Sequence, residues 1–409
     1  MKVLYDCFSC SPYYGSDEGI GWLWPFYMRE YHDVWAVVRK DRKADIEKYC
    51  EEHDIDDIHF IYADLPDWMN FYYRNLAKGK NGTLDFLLYQ CLWQFFSYKE
   101  VKRIHKKENF DLVHKVGTND FRILGFMYKL GIPYIIGPIG GAQNTPEVLE
   151  YYVRDHKKSE KLRTVLNYCM THNPWYKKAL NKATKVYCSN RETKEYVSHL
   201  IKDNSKLEIM TEVGWNGDIP INVKEHDSLK VFTMMWAGRM EYRKGLELLF
   251  DILDQLPEDL EWKLLLCGMG SEYQKYKNIV ETKKYYNKVE FLGKVSYEEM
   301  SNIYNQADVF VFPSLRETTG TVIIEAMAHG VPVIALEQGG AMEVISEDCG
   351  YLVPTENRNE IILQFSKVIE NCIDNRELLE KLSDNSKERI ESKYSWSNKA
   401  KNMNDIYIK

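Results

Sequence analysis

No apolar run in this 409-residue chain is long enough to span a bilayer, which takes about 20 consecutive apolar positions. The opening Met1-Lys2-Val3-Leu4-Tyr5 is too short an apolar run for a secretory signal. A cytoplasmic protein is therefore expected, at most peripheral on the inner face of the plasma membrane. Basic charge is not in excess either. With 54 Lys and Arg against 61 Asp and Glu the formal net charge is −7, which argues against a partner such as nucleic acid. The nine cysteines, an odd number scattered from Cys7 to Cys372, read as reduced thiols rather than a disulfide framework. Cys7 and Cys10 form a lone C-x-x-C with no second pair and no nearby His, so a buried or loop-lining role is favoured over zinc or redox chemistry. Nor is there a histidine cluster to hold a divalent ion, a repeat of solenoid period or a low-complexity tail. No metal or resident cofactor is expected.

What is present suits a two-domain enzyme. The length exceeds what one hydrophobic core usually serves. Hydrophobic residues make up 44% of the chain, and 29 Tyr and 10 Trp are generous enough to suit sugar and base stacking beside ordinary packing. Short apolar strands alternate with helical patterns, the signature of parallel sheets wound by helices. A first set of strands is predicted at 2–5, 34–38, 59–62, 112–114, 134–136 and 185–188. A second begins at 231–236 and continues at 262–267, 289–292, 309–312 and 331–334. The turn-rich stretch 214–227 between the sets reads as a linker, giving domains at 1–213 and 228–386. The charged, amphipathic segment 387–409 is expected to pack back on the first domain.

The most informative stretch runs from Phe312 to Ile334. A strand ends at Pro313, a loop carries Glu317 to Gly320, a helix spans about Thr321 to His329, and Gly330 stops it. Ligands in such sheets bind beyond the carboxyl ends of the strands, where free N–H groups at Gly320 and Thr321 can receive a phosphate or sugar hydroxyls. Two carboxylates eight residues apart, Glu317 in the loop and Glu325 in the helix, can accept from neighbouring hydroxyls of a ribose or a hexose. An arbitrary Glu pair more often sits in water. Here Glu325 interrupts an apolar helix, which shifts the balance. A second cluster, Trp236 to Gly245, follows the first strand of the second set. Its Arg239 and Lys244 can neutralise a diphosphate without metal, or can simply be a solvated basic loop.

With both clusters in view the chain resembles the retaining GT-B glycosyltransferases usually numbered family four, the group 1 glycosyl transferases. The likeness rests on Glu317-x7-Glu325 within the Pro-Ser … Glu-Ala-Met-Ala-x-Gly-x-Pro-Val-Ile frame and on Gly238-Arg239 … Lys244-Gly245. It extends to Gly268-Met269-Gly270, Phe291-Leu292-Gly293-Lys294-Val295 and Gly339-Gly340-Ala341-Met342-Glu343. Where the family usually has a Gly-Phe-Gly type sequence after the first Glu, this chain has Thr318-Thr319-Gly320, so the sugar is left open. The first half is similar to part of that family. Gly15, expected to meet the donor, and Ser16, Asp17 and Glu18, expected on the acceptor side, follow the first strand in a glycine-rich loop, where a plain turn is equally consistent. His114 matches a family His near the transferred sugar, with a satisfied structural histidine nearly as good a reading. Gly140 and Gly141 lie in a further strand-end loop expected on the acceptor side.

The resemblance implies two Rossmann-like, doubly wound parallel-sheet domains facing a cleft. It also implies transfer of a hexose or N-acetylhexosamine, with retention, from a UDP- or GDP-sugar to a glycan or lipid-linked glycan, such as that of a bacterial surface polysaccharide. Arg239, Lys244 and the N-terminus at Gly320 and Thr321 would stabilise the departing diphosphate. Glu317 would hold the donor hexose, Glu325 the ribose and Val295 the base by its backbone, with Thr319 in the donor loop. Two readings compete with it: a nucleotide-sugar epimerase or sugar phosphorylase on the same architecture and, from a different class, a noncatalytic sugar-nucleotide-binding protein. Retention of both acids and both bases speaks against a decayed site. Finally, basic residues crowd 154–185, and aromatic segments at 68–74 and 86–96 are bounded by Lys78, Lys80, Lys99, Lys102 and Arg103. Weak contact with an anionic membrane is one reading, and core helices with a solvated lysine face is the other.

Overall fold

The computed structural model describes residues 1–72, 84–220 and 230–408. The expected linker residues 221–227, and Tyr73, Arg74, Lys78 and Lys80 of the expected basic and aromatic patch, lie outside the described residues. The chain divides into two units, one of Met1–Ala142, Leu162–Glu212 and Ala400–Lys409, the other of Gln143–Lys161 and Val213–Lys399.

The first unit is built on a parallel sheet of β1 (Lys2–Cys7), β2 (Asp33–Arg39), β3 (Ile58–Ala63), β4 (Leu112–Val116), β5 (Tyr134–Ile139), β6 (Lys185–Cys188) and β7 (Leu207–Ile209). The strand order is β3-β2-β1-β4-β5-β6-β7. Val3, Leu4, Tyr5, Val113 and Ile136 are buried, as a sheet covered by helices on both faces demands. The order reverses between β1 and β4, so the loops leaving these two strands diverge at the switch point where doubly wound sheets bind ligands. They start in close contact: a Cβ on Gly21 would lie 1.8 Å from the Ser9 carbonyl oxygen, and Gly117, at φ 72°, packs against the same atom. Glycine is required at both positions.

The second unit repeats the plan with β8 (Phe232–Ala237), β9 (Trp262–Cys267), β10 (Val289–Gly293), β11 (Val309–Phe312), β12 (Val333–Leu336) and β13 (Gly350–Val353). The order is β10-β9-β8-β11-β12-β13, again parallel, with its switch point between β8 and β11. Both units are thus Rossmann-like. The edge strands β7 and β13 are not anticipated by the sequence, since three or four residues beside Glu or Gly carry little apolar signal.

Two boundaries differ from expectation. Residues 143–161, expected in the first domain, cluster with the second, because Leu149, Tyr152 and Val153 join the core of Leu249, Phe250 and Leu253. The Tyr152 hydroxyl also donates to Asp251 at 2.6 Å. The last segment is likewise divided. Residues up to Lys399 stay with the second unit and those from Ala400 belong to the first, where Ala400, Met403 and Tyr407 are buried at helical spacing. Trp215, at the head of the expected linker, is held on both sides of its peptide: its N–H donates to Tyr394 and its carbonyl accepts from Trp396.

Candidate functional site

In the second unit the loops after β8 and β11 meet at the switch point. The Leu315 N–H donates to the Arg243 carbonyl at 2.9 Å, and Gly245, at φ 74°, lets the backbone pass where a Cβ would lie 1.9 Å from the Pro313 carbonyl oxygen. This join brings the cationic loop onto Glu317. One carboxylate oxygen of Glu317 accepts from Lys244 and, at 3.3 Å, from Arg243. Burial pushes the Glu317 carboxyl up, but the two cations outweigh it and hold the group below the usual carboxylate range. Lys244 also lies over the Phe312 ring at 5.8 Å. Beside this trio the helix Thr321–Ala328 begins at Gly320, at φ 89°, with no side-chain cap and no acid in its first turn, so its first N–H groups carry the positive end of the helix dipole.

Glu325 projects from the same helix and accepts the Tyr304 hydroxyl at 2.9 Å. Burial raises its pKa and the Tyr304 bond lowers it again in part. His329, one turn on, stacks on Tyr304 with ring centroids 4.9 Å apart and contacts Ser301 through Nε2 at 3.0 Å. The ring on which Glu325 depends is thereby fixed. Arg239 stands outside the trio, its side chain 72% exposed and 3.3 Å from Glu241. Val295 is half-buried in the loop after β10. Thr319 departs from expectation: the whole residue is buried against Gly340, which gives it a place in the loop's packing and no surface toward a ligand. Arg243 and Tyr304 are site residues that the motifs alone do not single out. Arg243 was signalled by its place beside Lys244, whereas nothing local marks Tyr304.

The first unit has a cavity of about 350 Å³ at its own switch point. Gly15, Ser16, Asp17 and Glu18 line it, as do Thr118, Asp120 and Arg122 from the loop after β4 and Arg39 and Arg42 beyond β2. Phe86, Leu87 and Gln90 add a wall from the helix Leu84–Glu108. Glu18 is committed: it accepts from Arg39 at 3.1 Å, from Arg42 at 2.8 Å and from the Cys10 N–H at 2.8 Å. Asp120 takes both forks of Arg122, at 2.8 and 2.6 Å. The strand-end rule applied to Thr118-Asn119-Asp120-Phe121-Arg122 would have found this second half. Gly140 and Gly141 do not line the cavity. Gly140 exchanges backbone hydrogen bonds with Asn119 and Phe121, and the Gly141 carbonyl accepts from Arg163.

His114 is the clearest correction. It has no exposed surface, and Nε2 lies 2.6 Å from the Gly137 carbonyl while Nδ1 meets the Tyr407 hydroxyl. A carbonyl can only accept, so Nε2 carries the proton and Nδ1 accepts from Tyr407. Burial lowers the pKa to about 3. A neutral ring with both nitrogens engaged is a satisfied core histidine, without access to a sugar.

Among the described residues no group of three or more His, Cys, Asp or Glu side chains is placed to hold a metal ion. The sequence has one Asp-x-Asp triplet, Asp54-Ile55-Asp56, in the exposed turn before β3. No described helix is long and apolar enough to cross a membrane. The aromatic segments divide by face: Tyr89 and Trp93 are core, whereas Trp68, Phe71, Leu84 and Leu88 are more than half exposed.

The glycosyl transferases group 1 family matches residues 219–389. An uncharacterized glycosyltransferase of Methanocaldococcus jannaschii is 26% identical over 373 residues, covering 87% of this chain and 89% of that protein. Among solved structures, Anabaena HepE in complex with UDP is similar at a TM-score of 0.64 and 17% identity, covering 100% of this chain and 99% of that one. The lipopolysaccharide outer core galactosyltransferase WaaB in its apo form is similar at 0.68 and 14%, each chain covered in full. Both share the GT-B fold, which this chain adopts.

Proposed function

We propose that this chain, whose residues 219–389 match the glycosyl transferases group 1 family, moves a hexose or N-acetylhexosamine, with retention, from a UDP- or GDP-sugar to a glycan. The observation that carries this is the trio of Glu317, Lys244 and Arg243 beside an uncapped helix N-terminus at the β8/β11 switch point. Cations and N–H groups converging there suit a diphosphate, and UDP is the ligand bound by HepE. In this reading Lys244 and Arg239 take the phosphate oxygens, aided by the N–H groups of Gly320 and Thr321. Glu317 accepts from donor-sugar hydroxyls while its cations hold it ionised. Glu325, oriented by Tyr304, accepts from the ribose diol, and the Val295 backbone meets the base.

The chemistry needs no protein nucleophile. As the anomeric bond breaks, negative charge grows on the leaving phosphate where Lys244 and the helix dipole stand, which lowers the barrier electrostatically. The acceptor hydroxyl attacks the same face and passes its proton to that phosphate. We place the acceptor at the first unit's cavity and the reaction without a divalent metal. A lipid-linked glycan is the acceptor class that the outward apolar side chains of the first unit favour.

A panel of UDP- and GDP-sugars, scored for released nucleotide with and without EDTA, tests the reading. One or a few donors should be hydrolysed slowly, with no loss on chelation. Isomerised donor or sugar phosphate as the product would instead indicate an epimerase or a phosphorylase. Nucleotide binding without turnover on any acceptor would indicate a binding protein.

A further inference from the structure

The cavity of the first unit contains as many acids as bases, and their pairing decides what it can hold. Arg39 and Arg42 both face Glu18, and they meet further acids outside the cavity, Asp41 at 3.2 Å and Asp45 at 3.8 Å. Arg122 is closed on Asp120 by two bonds. Each guanidinium lining the cavity is therefore already neutralised by a carboxylate. A phosphate or uronate would have to displace one of these part-buried pairs, and would leave its carboxylate without a partner. Asp17 is different. Among the described residues it has no cation within ion-pair distance, and it contributes a carboxylate at the head of the helix Ser16–Met28. Ser9, Ser16, Thr118 and Gln90 add neutral donors and acceptors, and Phe86 supplies an apolar wall. A volume of about 350 Å³ lies within the range of small-ligand pockets.

We propose that this cavity binds an uncharged sugar ring of the acceptor, with Asp17 accepting from its hydroxyls and the Glu18 and Asp120 ion pairs excluding acidic or phosphorylated rings. This rests on the glycosyltransferase reading for the word acceptor, but the selectivity for neutral rings stands on the cavity alone. A charged portion of a longer acceptor, such as a phosphate, must lie outside it. Withdrawal from solvent and the neighbouring Glu212, Asp120 and Glu18 push Asp17 up to about 6, against a bond from the Asn119 N–H. Neutral hydroxyls as partners suit a carboxylate with Glu212, Asp120 and Glu18 for neighbours and the buried Lys115 acting on it only from a distance.

The test is binding by the full chain, followed by saturation-transfer NMR. The probes are the methyl glycosides of glucose, galactose, mannose and N-acetylglucosamine, with methyl glucuronide and glucose 6-phosphate as anionic counterparts. At least one neutral glycoside should bind at least about tenfold more tightly than either anionic probe. Asp17→Ala should weaken it by about tenfold or more, and Asp17→Asn by less. Glu18→Gln, which leaves Arg39 and Arg42 with only Asp41 and Asp45 as acidic partners, should strengthen binding of the glucuronide or the phosphate; a merely structural Glu18 would not. UDP binding is measured in parallel. Its absence would undo the donor site while leaving the cavity result intact. Binding of no glycoside, tighter binding of an anionic probe by the parent chain, or full affinity in Asp17→Ala would overturn the proposal.

Discussion

Tyr407 donates its hydroxyl hydrogen to Nδ1 of His114 and shares a 3.0 Å contact with the Tyr5 hydroxyl, tying the last helix to the centre of the first sheet. The histidine is thereby a buried neutral group whose pKa, about 3, lies well below its ordinary 6.5. Between those values the unfolded chain binds a proton that the folded chain does not. Its contribution to stability is therefore present above pH 6.5 and lost as pH falls toward 3. Thermal unfolding of the parent should weaken across that window more than that of His114→Phe. Tyr407→Phe should cost about 1–3 kcal/mol by leaving Nδ1 without its donor. Neither variant should change the pH profile of turnover per folded molecule between pH 6 and 8, and a shifted profile would return His114 to the reaction.

Lys244 and Arg239 should be separable by what their loss does to the fold. Arg239→Ala removes an exposed charge, so the melting temperature should stay put while turnover falls by about 10²-fold. Lys244→Ala should lower turnover as much or more, and should also destabilise, since the part-buried Glu317 carboxylate keeps only Arg243. Near-normal turnover in both variants would move the diphosphate elsewhere.

The two acids should divide the ligands. Glu325→Ala should weaken UDP and UDP-sugar alike, and Tyr304→Phe should do the same to a smaller degree, because it frees the carboxylate that Tyr304 orients. Glu317→Ala should spare UDP and weaken only the intact donor, since the hexose belongs to one ligand and the ribose to both. Calorimetry with each ligand measures this. Equal losses for both ligands in every variant would merge the two roles.

Much of this arrangement was legible from the sequence because chemistry and topology point the same way at strand ends. The apolar strands and the glycines at 238, 245 and 320 mark where β8 and β11 end, and Glu317, Glu325, Arg239 and Lys244 fall just beyond. What could not be read is what depends on contacts across many residues. Tyr304 reaches Glu325 from a neighbouring helix, Arg122 faces its cavity only once β1 and β4 are paired, and Tyr407 finds His114 from 293 positions away. His114 also shows why a residue type at a strand end is ambiguous. Its register opposite Tyr5 turns the ring into the core, whereas the loop residues after β4 open to the cavity.

The outward face of the helix Lys157–Thr171 and its successor raises a prediction about the membrane. Within the first unit Leu162, Val165 and Tyr168 are each more than half exposed at spacings that share one helix face, and Trp175 is 65% exposed nearby. Lys177, Lys178 and Lys182 on the following helix are exposed as well. Apolar side chains in water beside lysines cost stability unless something covers them, and an anionic leaflet covers both kinds at once. Each basic residue near such a surface contributes about 1 kcal/mol, an attraction that salt screens within about 10 Å at 0.1 M. The chain should therefore sediment with phosphatidylglycerol-containing vesicles at low salt, less at high salt, and little with neutral phosphatidylcholine. Replacing Leu162, Val165 and Trp175 together by Ser should abolish the salt-resistant part, whereas Lys177→Glu with Lys178→Glu should abolish the salt-sensitive part. Donor hydrolysis in solution should be unchanged in both, because neither set touches the Glu317 site or the first unit's cavity. Absence of vesicle binding at low salt would leave a water-soluble glycan as the acceptor.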